Sequence, residues 1–188
     1  MSTRTPILQI EGLSFSYPGQ PALFSNWSAS IPAGVTLIHG DTGSGKSTLL
    51  RLIAARSDAF WCDPTTDAFD QLTARDCTSS LCADDAAFDR STWQALIDGF
   101  NLAPHLDKPM YMLSTGSKRK VWLAAALASN RALTLLDEPT GGLDTASINC
   151  LMRALADLAG HAQRAIVVAS AERLERVPLA AVIELPPR

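Results

Sequence analysis

The chain has 188 residues, with 16 lysines and arginines against 19 aspartates and glutamates and a formal net charge of −3. This length predicts one domain with a core of good size, and the absence of a long basic run argues against nucleic acid as the main partner. The first residues lack an apolar signal segment, no run approaches the roughly 18 apolar residues of a membrane span, and the four cysteines form no C-x-x-C pair, so we expect a cytoplasmic protein with reduced thiols.

Short strands open the chain. From Leu8 to Tyr17 apolar residues alternate with polar ones, a Pro18-Gly19 turn follows, and the stretch 27–31 predicts another strand. We expect these strands to form an antiparallel edge that leads into the main sheet. Tyr17, at the end of its strand, is either a residue that stacks on an adenine ring or a half-buried aromatic.

A phosphate-binding loop comes next. The residues Gly40, Asp41, Thr42, Gly43, Ser44, Gly45, Lys46 and Ser47 match the pattern G-x-x-x-x-G-K-[ST] in full. The apolar run 35–38 before the loop and the amphipathic run 48–55 after it provide the strand and helix that the pattern requires. We expect Lys46 to hold the β- and γ-phosphates, Ser47 to ligate Mg²⁺ and Thr48 to bind the nucleotide beside it. The alternative is a glycine-rich turn that happens to precede a helix.

The middle of the chain is harder to interpret. The stretch 60–89 has weak periodicity, and then Ser91 begins a capping-box pattern that predicts a helix ending near Gly99. Ser114-Thr115-Gly116 opens a second helix, whose alanine- and leucine-rich body is 121–128. The positive end of that helix could face an anion.

Two adjacent carboxylates follow the next predicted strand, 133–136. Burying such charges without a partner costs several kcal/mol, so Asp137 and Glu138 predict a site that uses them. Beside a phosphate loop, Asp137 would hold Mg²⁺ and Glu138 would polarise the attacking water. The alternative is a solvated pair at the end of a strand.

The remaining elements complete an alternating pattern. An amphipathic helix is predicted after the stretch 139–144, with a stop at Gly160, and apolar strands are predicted at 165–169 and 181–185. Strands that alternate with helices around a phosphate loop predict an α/β fold with a mainly parallel sheet.

Taken in order, these motifs resemble those of ABC (ATP-binding cassette) transporter ATP-binding subunits. Tyr17 matches the adenine-stacking position, 40–47 the Walker A motif, 113–117 the LSGGQ signature, 133–138 the Walker B motif and 142–144 the D-loop. The resemblance covers most of the chain. It implies a P-loop NTPase of ABC type in one domain, 1–188, with an N-terminal antiparallel β edge and a small helical subdomain at about 63–128.

The resemblance also implies how such a chain works. ATP and Mg²⁺ would bind between two subunits of a homodimer or heterodimer, where Ser114 and Gly116 of one subunit cap the γ-phosphate held by Lys46 of the other, with Asp144 at the same interface. Glu138 would support hydrolysis. The dimer would energise a separate membrane-spanning transporter subunit from the cytoplasmic face, without nucleic acid as a partner.

The chain departs from the family pattern at several positions. Its signature reads LSTGS, and Asp63 stands near the place of the usual glutamine, while Gln71 is the nearest actual glutamine. Only 17 residues separate Lys46 from Asp63, so we expect the usual antiparallel hairpin to be largely missing. Ala171 stands where the family carries a switch histidine. Because alanine cannot orient water, we expect slow hydrolysis that relies on Glu138 and Lys46.

Three other functions remain open from the sequence. A regulatory or degenerate ABC ATPase would bind ATP with little turnover, and the missing histidine supports it. A non-transport ABC ATPase would act on translation, DNA or cofactor assembly, but usually carries a second cassette, a long coiled-coil insertion or a basic face. A small-molecule kinase would use Lys46 and Asp137, yet leaves LSTGS unexplained.

Overall fold

The computed structural model describes residues 6–63, 66–83, 85 and 88–187. Two short 3₁₀ turns, Ala103–His105 and Met110–Met112, accompany the helices and strands. In chain order the elements are β1 Pro6–Ser16, β2 Ala22–Pro32, β3 Gly34–His39, α1 Lys46–Ala54, β4 Ala59–Phe60, α2 Ala74–Leu81, α3 Arg90–Gly99, α4 Thr115–Ala128, β5 Leu133–Asp137, α5 Thr145–Leu158, β6 Ala165–Ser170 and β7 Leu179–Glu184.

The main sheet is parallel throughout, in the order β4-β5-β6-β3-β7. Its central strands are covered on both faces, which explains their continuous apolar sequences. In β6, Ile166 and Val168 face a core built with α2 to α5, whereas Val167 and Ala169 face a core built with β1, β2 and α1. The predicted α/β class with a mainly parallel sheet is therefore confirmed.

Strands β1 and β2 form a separate two-stranded antiparallel sheet. The expected antiparallel edge thus exists, but it packs over α1 through Leu13, Phe24 and Ile31 instead of extending the main sheet. This packing leaves Tyr17, just after β1, next to the first turn of α1.

The helical layer shows two differences from the sequence-based expectations. Helix α2 was not predicted, because its sequence ARDCTSSL carries few apolar residues. The cap of α3 is Asp89, whose carboxylate accepts the Ser91 and Thr92 N–H groups, so the prediction of Ser91 as the cap was wrong. The predicted subdomain at about 63–128 includes residues 64, 65, 84, 86 and 87, which lie outside the described residues.

The parallel order brings the carboxyl ends of three strands to one edge of the sheet. The phosphate loop follows β3, Asp137 ends β5 with Glu138 directly after it, and Ala171 follows β6. Within the described ranges, no helix has both the length and the apolar character needed to cross a membrane. The four cysteines are free in the structure, and three of them are buried.

Candidate nucleotide-binding site

The loop between β3 and α1 has the backbone geometry of an anion cradle. Gly45 caps α1 with a φ of 100°, a left-handed conformation that favours glycine. A Cβ at this position would also lie 3.1 Å from a methyl group of Leu23. The first helical N–H groups of α1 therefore face the loop without side chains in the way, as phosphate binding requires.

Lys46 is the buried cation of this site. Its side chain is only 6% exposed, and its Nζ donates to the carbonyl oxygens of Gly40 at 2.7 Å and Asp41 at 3.1 Å. The same Nζ lies 3.2 Å from Glu138 Oε1. The ammonium group is thus held at the mouth of the loop by partners that phosphate oxygens could replace.

Glu138 is held from two sides. Its backbone has a φ of 40°, uncommon for a residue other than glycine, and its N–H donates to Ala169 O at 2.8 Å. The Ala171 N–H donates to the carboxylate, with distances of 3.1 and 3.4 Å to its two oxygens. Such a backbone conformation costs about 1–3 kcal/mol and concentrates at functional sites.

Asp137 and Ser47 bring together two oxygen groups that suit Mg²⁺. Burial raises the pKa of the Asp137 carboxyl above its ordinary value, and a hydrogen bond with the Ser47 side chain opposes this shift. Asp137 Oδ1 is buried and has no hydrogen-bond partner among the described residues. Because Mg²⁺ is usually held by one or two protein oxygens together with substrate phosphates, the pair fits this ion.

A cavity of about 530 Å³ lies over these groups. Tyr17 stands at its edge, 46% exposed, with its hydroxyl 2.8 Å from Thr48 Oγ1 and its ring edge-on to Phe15. The cavity is lined by Tyr17, Leu23, Thr42, Gly43, Gly45, Lys46, Ser47, Thr48, Glu138, Thr140, Gly141, Ala171 and Glu172. Most of the residues that the sequence indicated for nucleotide binding therefore meet in one place, while Gly40, Asp41 and Ser44 shape the loop behind them.

This cavity is not lined by seven of the predicted residues: Gly40, Asp41, Ser44, Asp137, Ser114, Gly116 and Asp144. Ser114 caps α4 by accepting the Ser117 N–H at 3.1 Å, and Gly116 packs so closely on the backbone of Gly142 that a Cβ would overlap its carbonyl. Asp144 caps α5, and hydrogen bonds led by that from Lys120 Nζ, at 2.7 Å, hold the pKa of its carboxyl well below the usual range. The role of Ser114, Gly116 and Asp144 toward a nucleotide on a neighbouring subunit stays a prediction.

The structure also shows where the residues that depart from the family pattern lie. Asp63 Oδ2 lies 3.2 Å from Arg51 Nη2 on α1. Ala171 is exposed beside Glu138, and the three histidines, at 39, 105 and 161, all lie outside the residues that line the cavity. His39 instead pairs with Glu184 at 2.7 Å.

Some residues around the site were missed by sequence reasoning. Leu23 and Glu172 reach the cavity from distant parts of the chain, so no local pattern marks them. Arg119 and Lys120 bind the loop after Glu138, through Gly141 O and Asp144. The run of three basic residues at 118–120, directly after the signature-like motif, was the available signal.

Comparison with known proteins gives consistent relationships. A family model described as ABC transporter matches residues 58–141. The chain is 33% identical over 190 residues to the cytochrome c biogenesis ATP-binding export protein CcmA of Rhodospirillum rubrum, covering 89% of this chain and 81% of the relative. It is 27% identical over 180 residues to the zinc import ATP-binding protein ZnuC of Halorhodospira halophila, covering 88% of this chain and 68% of the relative.

Solved structures show the same fold. An ABC transporter ATP-binding protein from Pyrococcus furiosus aligns with a TM-score of 0.74 at 19% identity, covering 94% of this chain and 96% of that one. The dimeric structure of a bacterial ABC transporter cassette aligns with a TM-score of 0.70 at 19% identity, covering 87% and 88% of the two chains.

Proposed function

Because the chain belongs to the ABC transporter family, as one of its ATP-binding subunits, we propose that it binds Mg·ATP at Lys46, dimerises around the nucleotide and energises a separate membrane-spanning subunit. The meeting of Lys46, Glu138, Asp137 and Ser47 at one edge of the sheet carries this proposal. The P-loop supplies the anion site and the two carboxylates supply the chemistry of hydrolysis.

Binding begins with an exchange of partners at Lys46. Its Nζ leaves the carbonyls of Gly40 and Asp41 and the carboxylate of Glu138, and takes phosphate oxygens in their place. Tyr17 provides an exposed ring for the adenine at the far side of the cavity. Ser47 and Asp137 would hold Mg²⁺, which supplies neutralisation of the phosphate charge.

Hydrolysis then depends on Glu138. Once Lys46 binds phosphate, the carboxylate is free to accept a proton from the attacking water, and the Ala171 N–H keeps it oriented. Since alanine provides no imidazole at this position, the water has one orienting group fewer than in relatives with the histidine. We therefore infer that turnover is slow.

The assembly uses two other surfaces. Ser114, Gly116 and Asp144 serve a nucleotide bound to a second cassette, in a homodimer or heterodimer. The groove of about 670 Å³ between α2 and α3, with Arg75 and Trp93 among its lining residues, is the docking surface for a short segment of the membrane subunit at the cytoplasmic face. Co-purification of a membrane subunit, rather than nucleic acid, distinguishes this role from that of a non-transport ATPase.

The experiment is a comparison of ATP turnover in wild type, Glu138→Gln, Lys46→Ala and Ala171→His, with ATP affinity measured in parallel. Lys46→Ala should lose binding, and Glu138→Gln should bind but not turn over. Ala171→His should raise turnover by roughly a hundredfold, because it restores an orienting imidazole beside Glu138. Glu175→His is the matched control, since its exposed side chain does not line the nucleotide cavity.

Two outcomes would change the proposal. Wild-type turnover as fast as that of ordinary family members, with no gain from Ala171→His, would contradict slow hydrolysis. Wild-type turnover no higher than that of Glu138→Gln, with ATP binding and dimerisation intact, would favour a regulatory subunit that works by binding alone. The exposed Ala171 beside Glu138 is the observation that favours this second function.

A further inference from the structure

Helix α4 contacts the loop 138–144 at three places along its first half. Gly116 packs on Gly142, Arg119 Nη1 donates to Gly141 O, and Lys120 Nζ donates to Asp144 Oδ2. Arg119 and Lys120 follow Gly116 by three and four residues, so both lie on the side of the helix that carries Gly116. The start of α4 and this loop are therefore packed as one unit.

The middle contact leads directly to Glu138. The Gly141 N–H donates to Glu138 O at 3.1 Å, which closes a tight turn of four residues while the Glu138 backbone stays left-handed. Arg119 binds the carbonyl of the same glycine, and its Nη1 lies so close that a Cβ on Gly141 would require the guanidinium to shift. One guanidinium thus holds the outer side of the turn that orients the carboxylate.

The charge of Arg119 has no other evident use. Within the part of the chain that the structure describes, it forms no ion pair, whereas the neighbouring Lys118 and Lys120 pair with Asp70 and Asp144. A charged donor to a carbonyl is stronger than a neutral one, and it orients the peptide group that it binds. The carbonyl bound here belongs to Gly141, the last residue of the turn that begins at Glu138.

We propose that Arg119 is a positioning residue for Glu138. It binds Gly141 O and so keeps the turn closed, which holds the Glu138 carboxylate between Lys46 and the Ala171 N–H. The inference rests on the proposed hydrolysis of ATP. It adds a link through helix α4. The first turn of α4, at Ser114 and Gly116, would contact the nucleotide of the other subunit, while Arg119 on the same helix orients Glu138 of its own subunit.

The test compares Arg119→Ala and Arg119→Lys with wild type in three measurements. These are kcat for ATP, the Kd of Mg·ATP, and amide hydrogen exchange of Gly141 and Ala171 in the nucleotide-free protein. Arg153→Ala is the matched control, because Arg153 is an exposed helical arginine that also donates to a backbone carbonyl, that of Asn149.

Arg119→Ala should lower kcat about tenfold with Kd unchanged within about twofold, since it disturbs the glutamate and leaves the phosphate loop intact. Exchange at Ala171, whose N–H is bonded to the carboxylate, should become about tenfold faster. Arg119→Lys should recover part of both effects, and Arg153→Ala should change neither.

The proposal would be overturned if Arg119→Ala kept the kcat and the exchange rates of wild type. It would also be overturned if Arg119→Lys lost kcat and Mg·ATP affinity to the same extent, because that result indicates a general structural role. If Arg119→Ala does not fold, Arg119→Lys decides. If wild type has no turnover, the proposed ATPase activity fails, and the exchange rate at Ala171 still decides whether Arg119 positions Glu138.

Discussion

Arg164 anchors the far end of the helix that carries the signature-like motif, and its removal should destabilise the protein strongly. The side chain is 4% exposed, and its two terminal nitrogens donate to Leu127 O at 2.9 Å, Ala126 O at 2.9 Å and Thr134 Oγ1 at 3.3 Å. Burial lowers its pKa to about 10, so the group stays charged at neutral pH. A cation here binds two carbonyls of the last turn of α4, where helical carbonyls lack N–H partners within the helix.

The magnitude follows from the groups that Arg164→Met would leave behind. Ala126 O keeps a hydrogen bond from Ser129 Oγ, but Leu127 O would lose its partner. A buried carbonyl without a partner costs about 1–3 kcal/mol, and loss of a cation at a helix C-terminus costs about 0.3–1 kcal/mol or somewhat more. The free energy of unfolding should therefore fall by about 3 kcal/mol, which lowers Tm by about 6–12 °C for a chain of this size.

Thermal and urea unfolding of the nucleotide-free protein measure this change directly. Arg153→Met serves as the control, because that arginine is exposed and donates to a single carbonyl at 3.4 Å, and its Tm should stay close to wild type. A Tm for Arg164→Met within about 2 °C of wild type, or above it, would refute the reasoning. It would mean that the desolvation cost of the buried guanidinium outweighs its hydrogen bonds.

Two further predictions concern the helix termini. Gly116→Ala should abolish Mg·ATP-dependent dimerisation, measured by light scattering, and cost about 1–3 kcal/mol in unfolding free energy, because its Cβ would overlap Gly142 O. Gly160→Ala, with nothing within 4 Å of its Cβ, should do neither, and a Gly116→Ala protein that dimerises normally would contradict the packing argument. Hydrogen bonds, led by that from the side chain of Ser91, hold the pKa of Asp89 well below its usual range. The ionised Asp89 carboxylate therefore stabilises the folded protein fully above the unfolded pKa of about 3.9, and this stabilisation is lost as the pH falls further. In urea unfolding across pH, the stability difference between wild type and Asp89→Asn should be constant above about pH 5 and narrow below about pH 4; a difference that stays constant down to pH 2 would exclude this titration.

Local signals determined much of what could be predicted. The phosphate loop, the strand ending at Asp137 and the helix capped by Ser114 each depend on residues a few positions apart, and each lies where the sequence indicated. Where the local signal was ambiguous, the prediction was incomplete or wrong. Helix α2 has few apolar residues, and Asp89 competed with Ser91 for the cap of α3 because both side chains can accept helical N–H groups.

The sequence by itself determined the chemical groups of the site and the class of ligand that they suit. A glycine-rich loop, a lysine and two carboxylates after an apolar strand are typical of a site that binds phosphate. Only the tertiary structure decided how they meet. Lys46 reaches Glu138 because parallel strands β3 and β5 end at the same edge, and Arg119 reaches Gly141 because α4 packs beside that edge. Such contacts join residues far apart in the chain, and their geometry is set by the packing of whole elements rather than by any local pattern.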